Sequence, residues 1–146
     1  MSEQLIRTEL LLGPEAMKRL AECRVAVFGV GGVGGHVCEA LARTGIRHFM
    51  LVDNDRVSVS NINRQIIATH RTVGRVKVEV MKERILEIDP EAEVESWEAS
   101  GQHRRFRSGT VRLHCGRHRY GSRQALLGAA CRGKRAATHQ QHGCRQ

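Results

Sequence analysis

Four glycines, Gly29, Gly31, Gly32 and Gly34, fall within six residues at the end of an apolar run, RVAVFGV (24–30). Glycines there permit a tight turn, let a ligand approach the backbone, and aim the first N–H groups of a following helix at phosphate. Asp53 lies 19 residues past Gly34 and closes a second apolar run, HFMLVD (48–53). A carboxylate at that place accepts hydrogen bonds from ribose hydroxyls. The combination points to a nucleotide site. The competing reading is a glycine turn that only packs a helix on a strand.

The next segment narrows the ligand. DNDRVSVSNINRQ (53–65) gathers Asp53, Asp55, Asn61, Asn63, Arg64 and Gln65 just beyond the second apolar run. A dinucleotide dehydrogenase needs only one acid there, whereas amides and a guanidinium suit the charged tail of a nucleoside triphosphate. Lys77, 13 residues after Arg64, opens the next helical stretch and can reach the same edge. Each of these side chains also has a plainer reading, with Arg64 and Lys77 as surface charges and Asn61 as a turn former.

Elements that could hold these residues are legible in the pattern. RVAVFGV reads as a buried parallel strand, and Val33, Val37, Cys38, Ala40 and Leu41 recur at helical spacing until Thr44-Gly45. The segment 73–90 is the strongest helix. Val76, Val80, Met81, Ile85 and Ile88 form its apolar face, Lys77, Lys82, Glu83 and Glu87 lie mostly outside it, and Asp89-Pro90 ends it. AEVESWEA (92–99) reads as a third strand. Ahead of all this, Pro14 opens a helix over 15–22, and Leu5, Leu10, Leu11, Leu12 and Leu20 are placed to dock the polar N-terminus. The order β-α-β-α-β is the N-terminal half of a Rossmann-like, doubly wound parallel sheet in the α/β class, over residues 1–99.

Charge divides the chain at the same place. The formal net charge of +9 would suggest a nucleic-acid or membrane partner. Residues 1–99, however, hold 13 Lys+Arg against 15 Asp+Glu, and residues 100–146 hold 11 Lys+Arg and no acid, which supplies the whole excess. That tail has neither helical nor strand period, and its composition predicts disorder. No CxxC pair occurs among the five cysteines, so a structural zinc site is not expected. No signal peptide is apparent, and no apolar run nears the roughly 18 residues of a membrane span. A reducing, cytoplasmic setting is expected.

GVGGVG, LVDNDRVSVSNINRQ and GRVKVEVMKERILEIDP resemble the ATP-dependent adenylyltransferase family. That family holds the thiamine- and molybdopterin-sulfur-carrier adenylyltransferases and the ubiquitin-activating enzymes. ARTGIRHFMLVD, NINRQIIATH and RTELLLG are most similar to its tRNA threonylcarbamoyladenosine dehydratases, and the likeness covers residues 5–99. It implies that a carboxylate attacks the α-phosphate of Mg-ATP and pyrophosphate leaves. In the tRNA-directed members the carboxylate is the threonyl group of the modified adenosine, which then cyclises with loss of water. Carried over, Gly32 would line the phosphate turn, Asp53 would hold the ribose, and Ser60 to Arg64 with Lys77 would neutralise the triphosphate. Arg7 resembles the arginine that family homodimers lend to the partner's site. ATP, Mg2+, tRNA and a second copy of the chain are thus the implied ligands and partners, with no membrane.

Past the third strand the family continues into an acid-rich Asp-Ala-Ile-Asp-Thr strand, which nothing in residues 100–146 matches. Yet residues 111–122, back-translated with permitted codons and read one nucleotide later, can give YDYIVDAIDTV, and residues 139–146 can give ISSMGAG. This predicts a frameshift near residues 99–100. The competing view is a genuine basic tail that grips tRNA. A nicotinamide-dependent oxidoreductase fragment and a non-catalytic nucleotide-binding fragment are the alternative functions. With part of the site missing, weak or no turnover is expected of the chain itself.

Overall fold

The computed structural model describes residues 3–99 and, beyond them, the backbone of four short strands. Ile6–Leu12 (α1) and Pro14–Glu22 (α2) precede Arg24–Phe28 (β1), Gly32–Arg43 (α3), His48–Asp53 (β2), Lys77–Ile88 (α4) and Glu93–Glu98 (β3). The strands β1, β2 and β3 are parallel and in register, with Arg24 beside His48 beside Glu93, and Phe28 beside Val52 beside Trp97. This is the three-stranded Rossmann-like half that the sequence predicts. Leu126–Ala130 (β6) then pairs antiparallel along β1, and Ala137–Thr138 (β7) pairs along β6. Arg107–Ser108 (β4) and Val111–Arg112 (β5) form a separate pair. The expectation of disorder over 100–146 otherwise lies outside the described residues.

Boundaries differ from the sequence reading where backbone geometry overrides periodicity. Gly29 has φ 90°, which ends β1 two residues early, and its N–H donates to the Val52 carbonyl at 2.8 Å. The helix expected over 73–90 begins only at Lys77. Val76 is instead extended and forms an antiparallel bridge with Arg56, and Gly74 (φ 86°) donates its N–H to the Val57 carbonyl, pairings that an apolar count cannot show. Before β1, α1 forms where only a polar lead-in was expected, and Gly13 at φ 80° separates it from α2. Leu5 is buried as expected, but Leu10 and Leu11 stay 83% exposed, so the leucines of α1 do not dock on the described core.

Strand alternation sorts the core into two faces. Val25, Val27, Phe49 and Leu51 meet Cys38 and Ala42 of α3 and Val78, Met81 and Ile85 of α4 in the main cluster. Ala26, Phe28, Met50 and Val52 form a second cluster on the opposite face. Leu51 is fully buried in the first, where Leu→Ala changes cost roughly 2–5 kcal/mol. Within α3 the inward residues are Gly34, Gly35, Cys38 and Ala42, while Val33 and Ala40 face outward, a correction to the expected face. The turn needs the glycines, so the helix packs on small residues, and Ile66 Cγ2 would lie 3.2 Å from a Cβ at Gly35. Burial pushes the Cys38 thiol up to about 12, which makes it an inert packing group.

Glu39 clasps α3 to α4. It accepts from Arg43 at 2.8 and 3.0 Å on its own helix and from Arg84 of α4. Chiefly through the Arg84 bond, against partial burial, its carboxyl is held below the ordinary glutamate range. The folded state therefore binds fewer protons than the unfolded state in acid, and the contribution is lost as pH falls. Urea denaturation between about pH 5 and pH 3 is expected to show stability declining less steeply for Glu39→Gln than for the parent chain.

Candidate functional site

The glycine turn lies at the carboxyl ends of β1 and β2, the edge where open parallel sheets bind ligands. Gly31 precedes α3 as its N-cap, and no side chain stands within 4 Å of where its Cβ would be. The first N–H groups of α3 are therefore open to an anion. Gly32 is the first residue of α3, and a Cβ there would sit 3.5 Å from the Arg64 carbonyl oxygen. That contact brings the 53–65 segment directly against the turn.

Asp53 is 7% exposed, and both its oxygens are in use. The Val30 N–H donates to Oδ2 at 2.7 Å and the Asp55 N–H to Oδ1 at 2.8 Å. The carboxylate thus fastens the end of β1 to the end of β2; its lone pairs leave room for further donors such as ribose hydroxyls. Lys77 is the main correction at the site. Expected outside the apolar face of its helix, it is only 5% exposed. Its Nζ donates to Asp55 Oδ2 at 3.2 Å, and its N–H to the Asp55 carbonyl at 3.0 Å. A buried ammonium needs such a partner, and Asp55 supplies it from the loop after β2.

Between these residues the chain makes a 3₁₀ turn, Val59–Asn61, closed by a reciprocal capping box of Ser58 and Asn61. Asn61 is buried and its Oδ1 accepts from the Ser58 N–H at 3.2 Å, so its turn-forming role is real and uses that oxygen. Ser60 Oγ lies 2.9 Å from Ser58 Oγ, and Asn63 is exposed. Arg64 is exposed and folded back, with Nη1 donating to the Ser60 carbonyl at 2.7 Å and to Asn63 Oδ1 at 3.1 Å. The turn therefore brings Ser60, Asn61, Asn63 and Arg64 together beside Gly32. Arg7 stands exposed on α1 and makes no hydrogen bond or ion pair with these residues among those described.

Gln65 is gathered with this cluster in the sequence, but with no role of its own. It is 7% exposed, and its Oε1 is buried without a hydrogen-bond partner among the described residues. An orphaned buried acceptor next to Arg64 in the chain is the kind of group a bound ligand or water satisfies. Only its place after Asn63-Arg64 could have signalled this.

Comparison with known proteins agrees with the fold. Residues 2–108 match the model of the ThiF family. The chain is 50% identical over 94 residues to the tRNA threonylcarbamoyladenosine dehydratase of Bacillus subtilis, which covers 64% of this chain and 37% of that protein. Against the Escherichia coli protein of that name it is 49% identical over 87 residues, or 60% of this chain and 32% of that one. The crystal structure of the E. coli dehydratase in complex with ATP superposes with a TM-score of 0.66 and 44% identity, covering 67% of this chain and 40% of that chain. The chain thus spans about two-fifths or less of the length of these proteins.

Gly32 separates the structural from the binding role of the turn. A methyl group at that position meets only an ordinary contact in the fold, and at the first residue of the helix the gain from replacing glycine is small. Gly32→Ala is expected to leave the melting temperature unchanged or slightly raised, while weakening ATP retention in equilibrium dialysis about tenfold or more. Equal retention would leave the turn with packing alone.

Proposed function

The chain belongs to the ThiF family, and from that premise we propose that it is the nucleotide-binding part of an ATP-dependent carboxylate adenylyltransferase of the tRNA threonylcarbamoyladenosine dehydratase type. The carrying observation is the Lys77–Asp55 pair at 3.2 Å together with the folded-back Arg64, both beside an open glycine turn. These hold two cations in reserve at a site whose backbone already favours anions.

In this reading the ribose hydroxyls donate to Asp53, and the α-phosphate meets the N–H groups at Gly31 and Gly32. Arg64 exchanges the Ser60 carbonyl for phosphate oxygens, with Ser60, Asn61 and Asn63 lining its path. Lys77 stays neutralised by Asp55 until the triphosphate competes for it. The substrate carboxylate oxygen then bonds to the α-phosphorus as the bond to the bridging oxygen breaks, and pyrophosphate leaves with that electron pair. Arg64 and Lys77 offset the charge that builds on the departing group. In the tRNA-directed reaction the carboxylate is the threonyl group of threonylcarbamoyladenosine, which cyclises with net loss of water.

Among the described residues no group of three His, Cys, Asp or Glu side chains gathers to hold a metal ion. Both acids at the site are engaged, so Mg2+ would arrive on the phosphates of ATP. Arg7, on the exposed α1, fits a residue lent to the partner's site in a homodimer. No described helix is long and apolar enough to cross a membrane. A cytoplasmic setting suits a tRNA substrate.

Labelled ATP in equilibrium dialysis tests the reading. The chain is expected to retain ATP, and Arg64→Ala is expected to weaken retention about tenfold or more, near 1.4 kcal/mol. Pyrophosphate exchange by this chain is expected to be weak or undetectable. Retention that Arg64→Ala leaves intact would contradict the proposal.

A further inference from the structure

The positive charge of residues 1–99 gathers at one edge. Residues 53–77 hold five Lys+Arg against two Asp+Glu, whereas the remainder of 1–99 holds eight against thirteen. Arg64 and Lys77 belong to the proposed triphosphate site. Arg56, Arg71 and Arg75, and with them His70, are exposed on the chain that leads from β2 to α4. His70 and Arg71 make no hydrogen bond or ion pair among the described residues. Arg75 pairs with exposed Glu83, and Arg56 lies 4.0 Å from exposed Glu98, pairs weak enough for a stronger anion to displace. Local bonds hold these cations out in a fixed arrangement. Thr72 Oγ1 donates to the Ile67 carbonyl at 2.8 Å and accepts from the Thr69 N–H at 2.9 Å. The Gly74 N–H donates to the Val57 carbonyl at 2.8 Å, and the Val57 N–H to the Arg75 carbonyl at 2.9 Å. Arg56 Nη1 donates to the Gly74 carbonyl at 3.0 Å.

Resting on the reading above that the substrate carboxylate is carried by RNA, we infer that residues 70–75, with Arg56, form a seat for the phosphates of that RNA strand. The segment runs between Arg64 and Lys77 in the chain, so it lies along the edge that holds the glycine turn. A nucleotide whose carboxylate meets the α-phosphate of ATP brings the phosphates on either side of it to the same edge. Bound ATP makes that edge anionic, and cations beyond those that hold ATP are needed to offset its repulsion of RNA. Guanidiniums suit the task, because they stay charged and pair with phosphate through two donors. The net acidity of the remaining residues of 1–99 repels RNA from other faces, which steers the strand toward the site. A membrane surface is the poorer partner. Interfacial binding needs an apolar face beside the basic one, and Val73 is the one large apolar side chain exposed in residues 67–77.

Fluorescence anisotropy of a labelled RNA stem-loop with the full chain, at several salt concentrations, tests the seat. Arg71→Ala/Arg75→Ala is expected to bind the RNA about tenfold more weakly and to lower the slope of log affinity against log salt by about 1.5–2, the share of two phosphate contacts. Residues 100–146 are the same in both chains, so any hold they have on RNA cancels in the comparison. Removing equal charge from α2, as Lys18→Ala/Arg19→Ala, is expected to leave affinity and slope near the parent's. ATP retention by Arg71→Ala/Arg75→Ala is expected to match the parent's, since neither side chain is bonded to a residue of the triphosphate site. RNA binding indifferent to Arg71 and Arg75, or equally sensitive to the α2 pair, would overturn the inference. So would loss of ATP together with RNA, which would assign the two arginines to the triphosphate. A parent chain that fails to retain ATP, yet whose RNA binding still depends on Arg71 and Arg75, would support the seat and count against the nucleotide reading alone.

Discussion

The carboxylate of Asp53 is the interaction on which the rest depends. It accepts one backbone N–H from the residue after the glycine that ends β1, and another from the loop that leaves β2. Buried acceptors of this kind are tolerated only with their hydrogen bonds made. The bond to Val30 fixes where the glycine turn leaves the sheet, and hence where α3 points. The bond to Asp55 sets the loop that returns to hold Lys77. One side chain therefore couples the anion-binding turn, the ribose position and the buried cation, and the Gly29 N–H on Val52 reinforces the same junction.

From that junction the site is assembled by short-range backbone geometry more than by long-range packing. The loop after β2 is zipped to the segment before α4 by Val57 to Arg75, Gly74 to Val57 and Lys77 to Asp55. The capping box of Ser58 and Asn61 then turns the chain so that Arg64 lies across Gly32. Polar residues in this stretch serve the fold and the ligand together. Asn61 spends one oxygen on its own turn, whereas Arg64 uses part of its donor set on local acceptors that a phosphate can replace.

Much of this was legible in the residues. The apolar runs, the glycine spacing and the acid at 53 defined a βαβ unit, because parallel strands buried on both faces leave a continuous apolar signature. Lys77 was misplaced because helical periodicity treats a lysine as outward, while an aspartate 22 residues earlier in the chain makes its burial possible. The start of α4 was misjudged for a related reason: the Arg56–Val76 bridge is a pairing distant in sequence, invisible to a helical count. The acceptor of Gln65 and the antiparallel strand on β1 likewise depend on what surrounds them in space. The two apolar faces could be sorted by alternation, but only the structure shows that the described helices cover one of them.

Isothermal titration of the chain with ATP and with NAD tests the central claim most directly, that the turn, Asp53 and the Arg64–Lys77 pair make a triphosphate site. ATP is expected to bind about tenfold or more tighter than NAD, a margin of near 1.4 kcal/mol, because only the triphosphate engages both cations. NAD binding as tight as ATP or tighter would contradict it and return the fold to a dinucleotide-binding role.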